Sequence, residues 1–225
     1  MGIHDGHRER MKARFREHGA EQFEDHQLLE LLLFYALPRQ DVNPLAHALL
    51  DHFGSLDNLL EASAEELCQV PGVGSNTATL LLLIPQIDRR YQIRKHETRR
   101  QILTAEQAGH CLMPFFRYAR EEQVYLMCLD SRRRVLCCKC MARGEADCAN
   151  VSVRALVETA LSRRAAGVVL AHNHTSYVAL PSADDLATTR QLKIALEAVN
   201  IRLLDHLIIA GDDFVSLADS GELEE

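Results

Sequence analysis

The chain has 225 residues, 47% of them hydrophobic and 25% charged, and a formal net charge of −7. That length suits one large domain or two small ones with real cores, and the composition is ordinary for a globular protein. No apolar run approaches the ~20 residues a membrane helix needs, and an acidic balance excludes a protein that coats DNA with positive charge. The opening MGIHDGHRERMKARF has no apolar stretch behind its basic residues, so it does not read as a signal peptide, and a cytoplasmic location without a membrane is expected.

The first 90 residues read as helical. Gln27 to Tyr35 is leucine-rich and fits a buried helix that Pro38 ends. Asn43-Pro44 reads as an N-cap followed by proline at the first helical position, opening a helix through Ala46, Leu49 and Leu50. Gly54 is placed to end it in a left-handed turn. Two short helices follow, Leu56 to Glu61 and Ala64 to Gln69. Then comes VPGVGSNTA, Val70 to Ala78, with a helix resuming at Ser75. Two helices joined by such a glycine turn offer backbone N–H groups at a helix start, where a phosphate can sit. The turn resembles the helix-hairpin-helix motif, with FGS and LLEAS ahead of it as a degenerate first copy. The resemblance implies contact with the DNA backbone; a glycine turn that only packs two helices closely explains the same letters. Basic clusters at Arg8 to Arg16 and Arg89 to Arg100 fit solvated helix faces equally well. Residues 88 to 100, DRRYQIRKHETRR, read as a linker or a long exposed helix.

Beyond residue 100 the texture changes to alternating strands and helices. Val124 to Leu129 and Val135 to Met141 look like a hairpin around Asp130 to Arg134. Ser152 caps a helix whose apolar residues Val153, Leu156, Val157, Ala160 and Leu161 share one face. Gly167 to Ala171 is a short apolar strand, Leu192 to Val199 another helical stripe, and Ile201 to Ile209 and Phe214 to Ser216 are closing strands. This order suggests an α/β sandwich on a mixed sheet. The seven cysteines, Cys68, Cys111, Cys128, Cys137, Cys138, Cys140 and Cys148, lack the spacing of a paired zinc ribbon and read as reduced residues packed as small hydrophobes.

The chemistry concentrates in LAHNHTSYVALPSADD, Leu170 to Asp185. In extended chain, residues i and i+2 face the same side, so the imidazoles of His172 and His174 can meet one ion. Seven residues then loop out before Ser182, and Asp185 lies three further on. Two histidines and a carboxylate leave the fourth position of a tetrahedral zinc open for water, whose pKa the ion lowers to about 7. S-A-D-D also reads as a capping box, with Ser182 as N-cap and Asp185 at N3; the two readings are compatible.

H-x-H, seven residues, S, two residues and D is the metal motif of the JAMM (MPN-type) metallopeptidases, and His172, His174, Ser182 and Asp185 match it without gaps. Together with a strand ending in Leu129-Asp130, Gly144, and Leu203-Leu204-Asp205-His206 leading into an apolar strand, the chain resembles the bacterial RadC family over nearly its whole length. The resemblance implies an α+β protein: an all-helical helix-hairpin-helix domain over residues 1–90, a linker over 91–100, and a JAMM/MPN domain of cytidine-deaminase-like sandwich type over 101–225. It implies one Zn2+ per chain on His172, His174 and Asp185. Glu122 is implied as general base, with Glu121 its rival, and Ser182 as the group that steadies the tetrahedral intermediate. A protein or peptide substrate, cut at a peptide or isopeptide bond, follows from the same resemblance, as does a DNA-repair association that the chemistry does not explain. A DNA-binding adaptor with a silent, structural metal site is the competing reading. Asp205 and His206 read either as support behind the ligands or as a buried pair in a closing strand. One departure is HNHTSY in place of the family's HNHPSG, which puts Thr175 and Tyr177 in the loop over the site.

Overall fold

A computed structural model describes residues 3–97, 101–144, 151–176 and 178–223 of the chain. It divides into two compact units, Met1–Asp88 and Arg89–Glu225. No described helix is long and apolar enough to cross a membrane.

The first unit is helical: α1 (Ile3–His18), α2 (Asp25–Ala36), α3 (Asn43–Phe53), α4 (Leu56–Glu61), α5 (Ala64–Cys68) and the start of α6 (Ser75–Glu97). Its core gathers Leu29, Leu33, Leu49, Leu59, Leu67 and Leu81, all essentially inaccessible. The leucine-rich segment is α2, flanked by a capping box between Glu24 and Gln27. The carbonyls at its other end, Phe34, Leu37 and Pro38 with Gln40 just beyond, all accept from the Arg8 guanidinium. Helix α3 starts one residue earlier than expected: Val42, not Asn43, is the N-cap, and its carbonyl takes the Ala46 N–H. Asn43 instead donates its side-chain amide to buried Glu30, which explains why it is drawn into the helix. Gly54 ends α3 at φ 80°, the left-handed conformation a β-carbon disfavours. Of the stretch expected to link two domains, residues through Glu97 continue α6.

The second unit carries α7 (Ala105–Phe116), β1 (Gln123–Leu129), β2 (Val135–Arg143), α8 (Val153–Ser162), β3 (Gly167–Asn173), α9 (Ala183–Glu197), β4 (Arg202–Ala210) and β5 (Asp213–Ser216). The strands form one mixed sheet in the order β2-β1-β3-β4-β5. Only the β3–β4 pair is parallel; the others are antiparallel. Every residue of β1 and β3 is buried, as expected for central strands covered on both faces. One face packs Tyr125, Met127, Val169, Ala171, Leu207 and Ile209 against α7. The other packs Val124, Leu126, Val168 and Leu170 against Leu156 and Ala160 of α8 and Leu192 and Leu196 of α9.

Helix α7 has no counterpart in the sequence reading, although its signals are present. Thr104 caps it, its hydroxyl accepting the Gln107 N–H, and Ala108, Cys111, Leu112 and Phe115 share its buried face. Gly109 lets that face approach β5: a β-carbon there would sit 2.4 Å from Phe214 Cε1 and 2.5 Å from Cζ. Overpacking of this kind costs about 1–3 kcal/mol, and alanine returns about 1 kcal/mol of helix propensity. Gly109→Ala is therefore expected to lower the midpoint of urea unfolding, a net loss that circular dichroism can follow.

The described cysteines are free thiols, and Cys148 lies outside the described residues. Cys128 faces Cys137 across the β1–β2 ladder; burial first, then that neighbour, pushes its thiol up to about 12. It packs as a small hydrophobe.

Candidate metal centre

Strand β3 delivers the two histidines. Its alternation puts Val168, Leu170 and His172 on the face covered by α8 and α9. The ladder with β4 runs one residue past the strand, the His174 N–H donating to Ile209 O at 2.8 Å. That bond keeps His174 extended and on the same side as His172. The carboxylate comes from the first turn of α9. Ser182 is its N-cap, its hydroxyl accepting the Asp185 N–H at 3.1 Å, while Asp185 Oδ2 accepts the Ser182 N–H at 2.8 Å and the Ser182 hydroxyl at 2.6 Å. The capping box and the approach of Asp185 to the histidines are thus one structure: the cap fixes the rotamer that aims Asp185 back at the strand end.

The three groups converge. His172 Nε2 lies 3.1 Å from Asp185 Oδ1, His174 Nε2 lies 3.4 Å from Oδ2, and the two Nε2 atoms are 2.9 Å apart. Asp185 is 3% exposed and His172 2%. Burial works to raise the Asp185 pKa, but His172 and the two Ser182 bonds outweigh it and hold the carboxyl well below its ordinary range. Among the described residues, this is the one group of three or more His, Cys, Asp or Glu side chains able to close on a metal ion, with ligand atoms within 4.8 Å of one another.

The hydrogen-bond partners of the imidazoles bear on their tautomers. His174 Nδ1 sits 3.2 Å from Val178 O; a carbonyl only accepts, so Nδ1 carries the hydrogen and Nε2 is a bare lone pair. His172 Nδ1 sits 2.9 Å from His206 Nε2, and His206 Nδ1 sits 2.6 Å from Thr189 Oγ1. The Thr189 hydroxyl donates to Asp185 O at 2.6 Å. Two bare imidazole nitrogens and a carboxylate therefore face one point. A single proton satisfies one pair of these acceptors; a cation satisfies all of them. The donor set of two imidazoles and one carboxylate fits zinc with a position left open.

The remaining sequence-derived residues fall around this point. Glu122 is half-buried and Glu121 exposed, just ahead of β1. The β1–β3 ladder ends at Val124 opposite His172, which puts Glu122 two residues ahead of that pair. The Glu121 carbonyl accepts from Asn173 Nδ2 at 3.2 Å. Gly144 donates its N–H to Glu122 O at 3.0 Å. Thr175 is exposed in the turn after β3, and Tyr177 lies outside the described residues. Asp205 and His206 separate. Asp205 accepts from the Ser216 hydroxyl and from the His206 and Ala218 N–H groups, and burial raises its pKa. His206 pairs with Leu170 in the ladder and reaches the ligands.

Three contributors were not legible beforehand. Thr189 and the carbonyl of Val178 orient the imidazoles, directly or through His206. Asn173 clamps β3 to the start of β1, its Oδ1 accepting the Gln123 N–H at 2.8 Å. The signal for Thr189 was a polar residue on the buried face of α9; a backbone carbonyl leaves no signal.

Residues 102–222 match the RadC-like JAB domain, and residues 5–79 match the UPF0758 N-terminal family. The chain belongs to the RadC-like JAB family. A UPF0758 protein of Burkholderia cenocepacia is 37% identical over 215 residues, covering 96% of this chain and 84% of the relative. A UPF0758 protein of Rhodobacter capsulatus is also 37% identical over 215 residues, with 95% and 100% covered. One from Ruegeria pomeroyi is 35% identical over 219 residues, with 96% and 97% covered. As a RadC-like JAB chain it has the α+β architecture expected: a helical N-terminal region followed by a five-stranded mixed sheet with helices.

Burial pushes His206 well below the ordinary imidazole value of 6.5, so the ring stays neutral in the fold. Unfolded, it takes up a proton below about pH 6.5. The unfolded state then binds more protons than the folded one, and stability falls as pH falls through that value, by up to about 1.4 kcal/mol per pH unit. Urea titrations of metal-free protein from pH 7.5 to 5 are expected to show this slope, and His206→Gln to flatten it.

Proposed function

We propose that the chain is a zinc-dependent hydrolase of the JAMM type acting on peptide or isopeptide bonds. The observation that supports it best is the convergence of two imidazole Nε2 atoms, 2.9 Å apart, on a buried carboxylate. Zinc bound by His172, His174 and Asp185 would supply a Lewis acid and an activated water at neutral pH. Glu122, two residues ahead of the Val124 that pairs with His172, takes the proton from the attacking water and returns it to the leaving amine. Ser182 holds Asp185 in its rotamer, and from the same place its hydroxyl can turn to donate to the oxygen that gains charge in the intermediate. Elemental analysis of the full chain should find about one zinc per chain, and a library of peptide and isopeptide substrates should be turned over by zinc-loaded protein. Absence of bound zinc sinks the proposal; zinc without turnover leaves the silent, structural metal site.

A DNA contact is the second reading. It is favoured by the turn between α5 and α6, where Pro71, Gly72, Gly74 and Ser75 are exposed and Gly72 has φ 96°. Such a turn at a helix start suits a backbone phosphate. Binding to duplex DNA with affinity falling steeply in salt would support it; affinity indifferent to salt would not.

A further inference from the structure

We propose that His206 is a positioning residue that fixes the ring tautomer of His172 and so presents its Nε2 to the metal. The inference rests on the metal reading above. It follows from counting protons along one chain of contacts. Asp185 O can only accept, so the Thr189 hydrogen lies on the 2.6 Å bond to it. Thr189 Oγ1 is then an acceptor toward His206 Nδ1 at 2.6 Å, and that nitrogen carries a hydrogen. His206 Nε2 is left bare and accepts from His172 Nδ1 at 2.9 Å. His172 Nε2 is bare in turn, and it is the atom 3.1 Å from Asp185 Oδ1.

The chain of contacts ends on the backbone of a ligand. From Asp185 it passes through Thr189 on the next turn of α9, His206 on β4 and His172 on β3, and returns to the Asp185 carboxylate. This loop ties the first turn of α9 to two parallel strands, so one arrangement of protons sets both ligand chemistry and ligand position. A leucine would fill the wholly buried place of His206 at less desolvation cost. It would leave His172 free to carry its hydrogen on the wrong nitrogen. Partners of this kind typically hold 10–100-fold in metal affinity.

The test uses the full chain and Zn2+ alone, with affinity read by competition against a chromogenic chelator. His206→Leu and Thr189→Val are each expected to weaken zinc binding by about 10–100-fold, with melting of the metal-free protein recorded beside it. His206→Gln is expected to recover most of the affinity, because its amide oxygen accepts from His172 Nδ1 and its amide nitrogen donates to Thr189. Long-range proton–nitrogen spectra of the zinc-loaded wild type should show the His172 hydrogen on Nδ1. Should His206→Leu fail to fold, Thr189→Val, close in shape, decides. Zinc affinity equal to wild type in folded His206→Leu and Thr189→Val proteins, or no recovery in His206→Gln, overturns the positioning role while the metal reading stands. No zinc on the wild type removes both.

Discussion

A chain carrying His172→Ala and His174→Ala together is expected to fall from about one bound zinc to none. Both imidazoles are lost, and the buried Asp185 alone cannot replace them. The loss should also be visible in stability. A ligand that binds only the folded state at a thousand times its dissociation constant adds about 4 kcal/mol. Zinc should therefore raise the melting temperature of the wild type and leave that of the double variant where it was. The metal-free proteins separate a binding defect from a folding defect. Deleting one buried and one partly buried imidazole removes packing, but it also removes the pair of opposed lone pairs 2.9 Å apart, so the metal-free double variant is expected to be nearly as stable as the metal-free wild type. A variant that keeps its zinc would show that the ion sits elsewhere.

The second large effect is on turnover. Glu122→Gln keeps the shape and hydrogen-bonding reach of the side chain but cannot take a proton. General acid–base groups typically contribute 10²–10⁴-fold, so kcat should fall by about that factor while zinc stays bound. Glu121→Gln is the control, because Glu121 is the neighbouring carboxylate and the rival for the same role. Equal losses in both variants would assign the effect to local charge, and a loss in Glu121→Gln alone would exchange the two roles.

Much of the second unit could be read from periodicity. The strands β1 to β5 each coincide with an apolar run, and α8 with its Ser152 cap and apolar stripe. Helix α7 is hard to read from the sequence because its apolar residues are interrupted by Gly109 and Pro114, which ordinarily speak against a helix interior. The length of α6 was only half legible: its polar second half reads equally as exposed helix or as linker, since solvated residues leave no burial pattern to choose between them. The N-cap of α3 shifted to Val42 because Asn43 directs its amide to Glu30, a partner 13 residues away.

The sequence by itself marked the candidate ligand set. His172 and His174 share a face because an extended chain repeats every two residues, and Asp185 is fixed by the capping box it makes with Ser182; both are local consequences of short-range geometry. What the tertiary structure decided is how those groups are protonated and aimed. The hydrogen on His172 depends on His206, 34 residues away, and on Thr189 of α9 behind it; the hydrogen on His174 depends on the carbonyl of Val178. Hydrogen bonds between distant elements carry no spacing rule, so only the packed sheet and helix could show that both imidazoles turn bare nitrogens toward one carboxylate.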